Sequence, residues 1–330
     1  MAARVRFRLA RHVRSPNGPT TAAGVGQTRC MNIANWDSMG HRVELLGEAV
    51  FVVDRPADHD TAAPPMLIVH GFPTSSVDWA PVLDQLGAAR RVVLFDLPGF
   101  GLSAKPDRHY SIASAADTAA ALIDELRLHE FDLVTHDMGD TVGGELLARS
   151  LDGDLTAAGE PVRIRRRVVS NGSIYLDMAN LTDGQKALWS APDEMLPAGA
   201  APDAAMLQLA LTATLAPPGT PGSDPDPEHL RAAAEAICAS DGARLLPRLI
   251  RYLDDRSANE GRYTGAIESH PAPLGVVWGT EDPIAVIDMA HQLCRRRSDA
   301  VLTELDGAGH YPMIECPQRF ASAVLSHLSG

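Results

Sequence analysis

The side chain best placed for chemistry in this sequence is Asp137, at the centre of the run Thr135-His136-Asp137-Met138-Gly139. Phe131 to Thr135 has the compact apolar character of a buried parallel strand, and Gly139 to Ser150 reads as a helix, which leaves His136, Asp137 and Met138 on the turn between them. Small residues two positions before and after the central one let a strand-to-helix backbone turn sharply and lift the side chain at its apex above the sheet. A serine or cysteine there would attack acyl carbons. A carboxylate is a poor nucleophile towards esters and amides, but it displaces a leaving group at saturated carbon and forms an alkyl ester. The chemistry expected is therefore cleavage of a carbon–oxygen or carbon–halogen bond. The competing reading of Asp137 is a helix N-cap, which accepts hydrogen bonds from the free N–H groups of the first turn.

The elements that must position this turn begin near Gly40. His41 to Leu46 and Ala49 to Val53 are apolar-rich runs joined through Gly47 and Glu48, as in a hairpin, and Asp54 to Pro65 is a polar loop. Met66 to His70 reads as a buried strand and leads into H-G-F-P-T-S-S-V-D-W at His70 to Trp79, before a helix that ends near Leu86. In an enzyme with a nucleophile turn, this loop supplies one oxyanion-hole N–H, here from Phe72, and the second comes from Met138. His70 is expected to be structural. Arg91 to Asp96 is the next strand, and Leu97 to Ser103 is a glycine-rich turn without phosphate-loop spacing, read as shaping the fold. Ser111 to Leu126 is an alanine-rich helix with apolar residues at helical spacing.

Composition excludes several classes of function. The chain has 330 residues, 45% of them hydrophobic, and no apolar run long enough to span a bilayer, so one large core with an inserted subdomain is expected. A net charge of −13 argues against nucleic acid and anionic membrane surfaces as partners. Cys30, Cys238, Cys294 and Cys316 lack paired or metal-ligand spacing and read as reduced thiols of a cytoplasmic protein. Residues 1–30, arginine-bearing and then rich in Pro, Gly, Thr and Ala, are expected to be a disordered extension.

The motifs H-G-F-P at His70 to Pro73, D-L-P-G-F-G-L-S-A-K-P at Asp96 to Pro106 and H-D-M-G at His136 to Gly139 resemble the α/β-hydrolase fold, in its aspartate-nucleophile branch of epoxide hydrolases and haloalkane dehalogenases. W-D-S-M-G-H at Trp36 to His41 and S-N-G-S-I at Ser170 to Ile174 extend the likeness to the mesoderm-specific transcript group. The resemblance implies an α/β fold with a mostly parallel central sheet flanked by helices, a core of residues 31–174 and 271–330, and a helical cap of residues 175–270. It also implies an acid after a late strand and a histidine near the end. Leu274 to Trp278 is such a strand, followed by G-T-E-D-P with Asp282 and, as a competitor, Glu281. Val301 to Leu305 is the last strand, followed by D-G-A-G-H-Y-P-M with His310. Asp137, Asp282 and His310 would then be nucleophile, orienting acid and base.

The cap separates the candidate reactions. Epoxide hydrolases of this branch donate to the ring oxygen from cap tyrosines, and Tyr252 in L-I-R-Y-L-D-D resembles one of them. Tyr175, Trp189 and Tyr263 are further candidate substrate contacts. Haloalkane dehalogenases hold the halide with tryptophan or asparagine N–H donors, and the tryptophan of that family after the nucleophile is Met138 here. The primary expectation is epoxide opening to a diol, with haloalkane dehalogenation by the same triad second and a non-catalytic small-ligand-binding protein third. The expected partner is a small apolar-to-amphipathic substrate, with no cofactor or metal required, and a homodimer is left open.

Overall fold

The computed structural model describes residues 31–59 and 61–329, so the expectations for residues 1–30, Cys30 included, lie outside the described residues. The positive φ angles of Leu46 and Gly47 (52° and 82°) close a tight turn of the kind that matches strand twist. The strands either side of it, β1 (His41–Leu45) and β2 (Glu48–Arg55), therefore pair antiparallel. The compact apolar runs then become β3 (Met66–Val69), β4 (Val92–Phe95) and β5 (Glu130–His136), nearly all of whose residues are buried, as strands covered on both faces must be. The polar stretch beyond the helix that follows β5 forms a small separate hairpin, β6 (Thr156–Ala157) with β7 (Glu160–Pro161). It is followed by β8 (Arg163–Ser170), β9 (Leu274–Gly279) and β10 (Val301–Leu305). The main sheet has eight strands in the order β1-β2-β4-β3-β5-β8-β9-β10, and every pairing from β4 to β10 is parallel.

A helix that the sequence pattern does not announce, α1 (Ile33–Met39), precedes the sheet and buries Trp36, whose indole N–H reaches Ser76 Oγ at 3.3 Å. A short 3₁₀ turn leads into α2 (Leu83–Gly87), and α3 (Ile112–Glu125) opens on a capping box between Ser111 and Ser114. Helix α4 (Met138–Asp152) stops at Gly153, which takes the left-handed conformation at φ 81°. Between β8 and β9 the chain is helical: α5 (Asp183–Ser190), α6 (Ala204–Thr212), α7 (Pro227–Cys238), α8 (Leu246–Leu249) and α9 (Tyr252–Ser269). The C-terminal part adds α10 (Ile287–Arg296), α11 (Pro312–Glu315) and α12 (Pro317–Leu328), and α12 packs on β8, β9 and β10. The helical insertion lies within the same compact unit as the sheet, and α9 rests along α4. Among the described residues no helix is long and apolar enough to cross a membrane.

Two sequence expectations are corrected by the packing. The run Arg165 to Arg167 reads as the solvent end of a strand, yet the register of β8 against β5 shifts between Ile164 and Arg167, and Arg167 is 1% exposed with its guanidinium donating to the Ile267 carbonyl. Arg165 meanwhile pairs with buried Asp132 at 2.7 Å. The proline-rich segment from Ala216 to Pro227 reads as a hinge. In the structure it is fastened to α11, because Glu315 Oε2 accepts from Ala216 N and Ser223 Oγ at 2.9 Å each, and Asp224 N donates to the Glu315 carbonyl at 2.8 Å.

The elbow needs a close helix–strand approach, and Gly139 provides it. A Cβ at Gly139 would lie 2.4 Å from the Val69 carbonyl oxygen and 2.7 Å from that of His70, both rigid backbone of the central sheet. Gly139→Ala is therefore expected to destabilise the fold by about 1–3 kcal/mol, measured by denaturant unfolding. An unchanged midpoint would mean that α4 moves away without cost.

Candidate active site

Asp137 sits between β5 and α4 with φ 51° and ψ −121°, a backbone conformation that L-residues adopt only at a cost of about 1–3 kcal/mol. The turn is held from both sides, since Asp137 N donates to Ser170 O at 3.1 Å and Asp140 N donates to Asp137 O at 3.0 Å. Gly71 leaves room for the carboxylate, because a Cβ there would stand 2.7 Å from Asp137 Oδ2. Asp137 makes no side-chain capping bond to its own helix, so the N-cap reading fails to describe it. Its Oδ2 instead accepts the Phe72 backbone N–H at 2.8 Å, and its Oδ1 faces His310 Nε2 at 3.8 Å. Met138 is the first residue of α4, where the helix leaves its N–H without an intrahelical acceptor.

The structure brings Asp282 and His310 to the same point. His310 Nδ1–H donates to Asp282 Oδ2 at 2.9 Å, which fixes the tautomer and directs Nε2 at Asp137. Asp282 is itself locked, its Oδ1 accepting from Ile284 N (2.8 Å) and Ala285 N (3.0 Å) and its Oδ2 from Asn171 Nδ2 (2.8 Å). Its neighbour Glu281 points to solvent. Asn171, left-handed at φ 50°, also accepts from Gly279 N at 3.2 Å and so ties the end of β8 to the acid. The sequence offers only one signal for it, its place in S-N-G-S-I directly after a core strand.

The backbone around His310 is bonded throughout. His310 N donates to Thr214 O at 3.1 Å, and His136 Nε2–H donates to His310 O at 2.8 Å. Glu315, 1% exposed, accepts from Gly309 N at 2.9 Å and Tyr311 N at 3.1 Å while gripping Ala216 and Ser223. One carboxylate thus clamps the histidine loop to the helical insertion, a role that sequence reasoning missed. His70 is structural as expected. Its Nδ1–H donates to Gly71 O at 2.8 Å, and its Nε2 accepts from Leu97 N at 3.0 Å, joining the two loops beside Asp137.

Charges within the site are sorted by burial. Burial pulls the His310 imidazole down, but the carboxylates of Asp282, Asp137 and Glu315 outweigh it and raise it to about 9, so it rests as imidazolium. His136, equally buried and beside that cation, is lowered to about 4 and is neutral. Asp78, in the wall behind Tyr311, is pushed up to about 8 by burial and receives the Thr74 hydroxyl.

Tyr252, the first residue of α9, is 4% exposed, with its ring 5.8 Å from that of Phe72. Burial, then the nearby Asp137 charge, raises its hydroxyl far above the ordinary tyrosine value, which keeps it protonated as a donor. A cleft of about 580 Å³, part of it open to solvent, runs past Phe72, His310 and Tyr311 between apolar walls from Leu211, Leu246 and Ile284. A smaller one of about 310 Å³ has Met138 and Tyr252 in its wall. The other sequence candidates from the insertion are not brought together with the triad. Tyr175 donates to Glu268 at 2.9 Å, Tyr263 to Asp255 at 3.1 Å and Trp189 to Asp254 at 2.8 Å, and none of the three lines either cleft.

Comparison with known proteins agrees with this architecture. The model of the alpha/beta hydrolase family matches residues 66–323. The chain is 36% identical over 298 residues to a putative hydrolase LipZ of Mycobacterium tuberculosis, covering 90% of this chain and 98% of that one. It is 30% identical over 317 residues to the mesoderm-specific transcript homolog protein of Bos taurus, covering 90% and 88% respectively. Among solved structures, a thermophilic esterase from Thermogutta terrifontis superposes with a TM-score of 0.65 at 17% identity, over 87% of this chain and 97% of that one, a likeness of fold.

Proposed function

We propose that this chain, which belongs to the α/β-hydrolase family, opens an epoxide to a diol through a covalent ester on Asp137. The observation that carries the reading is the carboxylate at the strained turn, with Oδ2 on the Phe72 N–H and Oδ1 towards His310. Oδ2 already occupies an oxyanion position, so Oδ1 is the oxygen free to attack.

Oδ1 attacks a ring carbon, the C–O bond breaks, and the departing oxygen takes a proton from Tyr252. His310 loses a proton in the same step, which restores the tyrosine. Esterification removes the Asp137 charge, one of the charges that raise His310, so the imidazole is left neutral and able to act as a base. It then takes a proton from water, and the hydroxide adds to the Asp137 carboxyl carbon. The resulting oxyanion on Oδ2 is held by the Phe72 and Met138 N–H groups. Collapse expels the diol oxygen, which takes the proton of the added hydroxyl, and leaves Asp137 as carboxylate and His310 as imidazolium. Atoms and charges return to the resting state.

The pH dependence follows in sign. Ring opening uses the imidazolium proton, which is present at neutral pH and lost as pH rises through about 9. The kcat/KM for an epoxide is therefore expected to hold through neutrality and to fall above that point to a lower plateau, the rate of ring opening without the imidazolium proton. An alkaline limb beginning near 6.5 would contradict this charge assignment. A bromoalkane panel run beside styrene-type and fatty epoxides tests the substrate class. Diol formation without halide release supports the proposal, and halide release without diol formation would replace it with dehalogenation. The indole of Trp189, engaged by Asp254, gives that second reading no halide donor.

A further inference from the structure

Arg256 stands one helical turn after Tyr252 on α9, so the two side chains emerge from the same face of the helix. It is 2% exposed, it forms no ion pair among the described residues, and its Nη2 has no hydrogen-bond partner. A guanidinium in that condition is costly, since burial removes water from its N–H donors and no ion pair offsets the loss. The lost hydration lowers its pKa, and the groups whose fields act on it are Tyr252, Asp137, Glu260 and Asp140. Each of these carboxylates has other work. Asp137 lies on the Phe72 N–H, Glu260 accepts Leu176 N at 2.8 Å, and Asp140 receives the Thr135 hydroxyl. The Arg256 Nη2 is therefore unclaimed one helical turn from Tyr252, which lines the smaller cleft, and within the field of Asp137.

We infer that Arg256 is a binding residue for a substrate carboxylate, and that the substrates of this site are short epoxy carboxylates. The inference rests on the epoxide reading for the ring, and on Arg256 for the acid. A planar guanidinium with no carboxylate partner among the described residues matches a bound carboxylate through two parallel N–H···O bonds, which a water or a neutral amide cannot reproduce. Tyr252 and Arg256 are separated by about 6 Å of helix rise, so the acid and the ring oxygen of the substrate lie a few bonds apart. The rest of the substrate would fill the apolar cleft beside Phe72 and His310. Bound carboxylate supplies the charge that Arg256 lacks, and it orients the ring with its oxygen at Tyr252 and a carbon at Asp137 Oδ1.

The test is calorimetric binding of pentanoate and of pentanamide, two molecules of one shape that carry no ring and no leaving group. The wild-type protein is expected to bind pentanoate at least about tenfold more tightly than pentanamide. Arg256→Gln is expected to bind the two with equal affinity. Arg256→Lys, which keeps the charge if the fold depends on it, is expected to weaken pentanoate more than pentanamide because the bidentate fork is gone. Equal affinity in the wild type, or a preference that survives in Arg256→Gln, overturns the inference. Should pentanoate bind as expected while epoxides give no diol, the carboxylate site stands and the epoxide reading fails. Turnover of neutral epoxides with no acid preference does the reverse, leaving the epoxide reading in place and removing the carboxylate site.

Discussion

Asp137→Ala is expected to reduce kcat/KM for an epoxide by about 10⁴-fold or more, the scale seen when a covalent nucleophile is removed. No other group can take over the attack. Asp282 is turned away by its bond to His310 and by the Ile284 and Ala285 N–H groups. Asp78 is kept largely protonated by burial. Asp140 also is held far above the ordinary carboxylate value by burial. The fold should survive, because the turn is held by the backbone bonds of Asp137 to Ser170 and Asp140, and the variant removes a buried charge rather than a hydrogen-bond donor. Thermal unfolding within about 1 kcal/mol of the wild type would check this. A residual rate near that of the wild type would show that water attacks the ring directly.

His310→Gln is expected to split the reaction rather than abolish it. Glutamine fills the site but cannot accept the proton of the attacking water, so hydrolysis of the ester slows by about 10²–10⁴-fold. Attack by Asp137 does not need a base; it loses only the imidazolium proton that restores Tyr252, and it slows less. The ester should accumulate, giving a burst of about one equivalent per active site and an intact-protein mass raised by one epoxide. The step that loses most from the change is attack by water, whose path lies on the Nε2 side of the imidazole, 3.8 Å from Asp137 Oδ1 in the resting protein. Full loss of both phases, with no adduct, would mean that the imidazolium is indispensable to ring opening itself. In that case the Tyr252 donor alone would be insufficient to stabilise the departing oxygen.

Much of this site is legible in the sequence because the chemistry sits where local patterns are strongest. Asp137, Asp282 and His310 each follow a compact apolar strand at its C-terminal end, and a parallel sheet brings such ends to one edge. Phe72 is found by the same logic, from the loop after β3. The groups that support them are silent locally, because their contacts join distant segments. Asn171 reaches Asp282 across 111 positions, and Glu315 reaches Ala216 across 99. The Arg165 to Arg167 run shows the limit of reading polarity alone, since a register shift in β8 and the cover of α9 bury the last of the three. In the helical insertion, helix spacing reads Ala204 to Ala213 and His229 to Ala239 as helices, within two residues of α6 and α7. It does not reveal that Tyr175 and Tyr263 spend their hydroxyls on Glu268 and Asp255, or that Arg256 Nη2 finds no partner.

The most direct test of the covalent mechanism is a single turnover in oxygen-18 water, with excess enzyme and a short epoxy carboxylate, followed by mass spectrometry of the Asp137 peptide and of the diol. Attack through Oδ1 predicts that the diol carries oxygen from Asp137 and stays unlabelled, while the peptide gains one labelled oxygen. Label in the diol with none in the peptide would mean that water opened the ring, and Asp137 would no longer be the nucleophile.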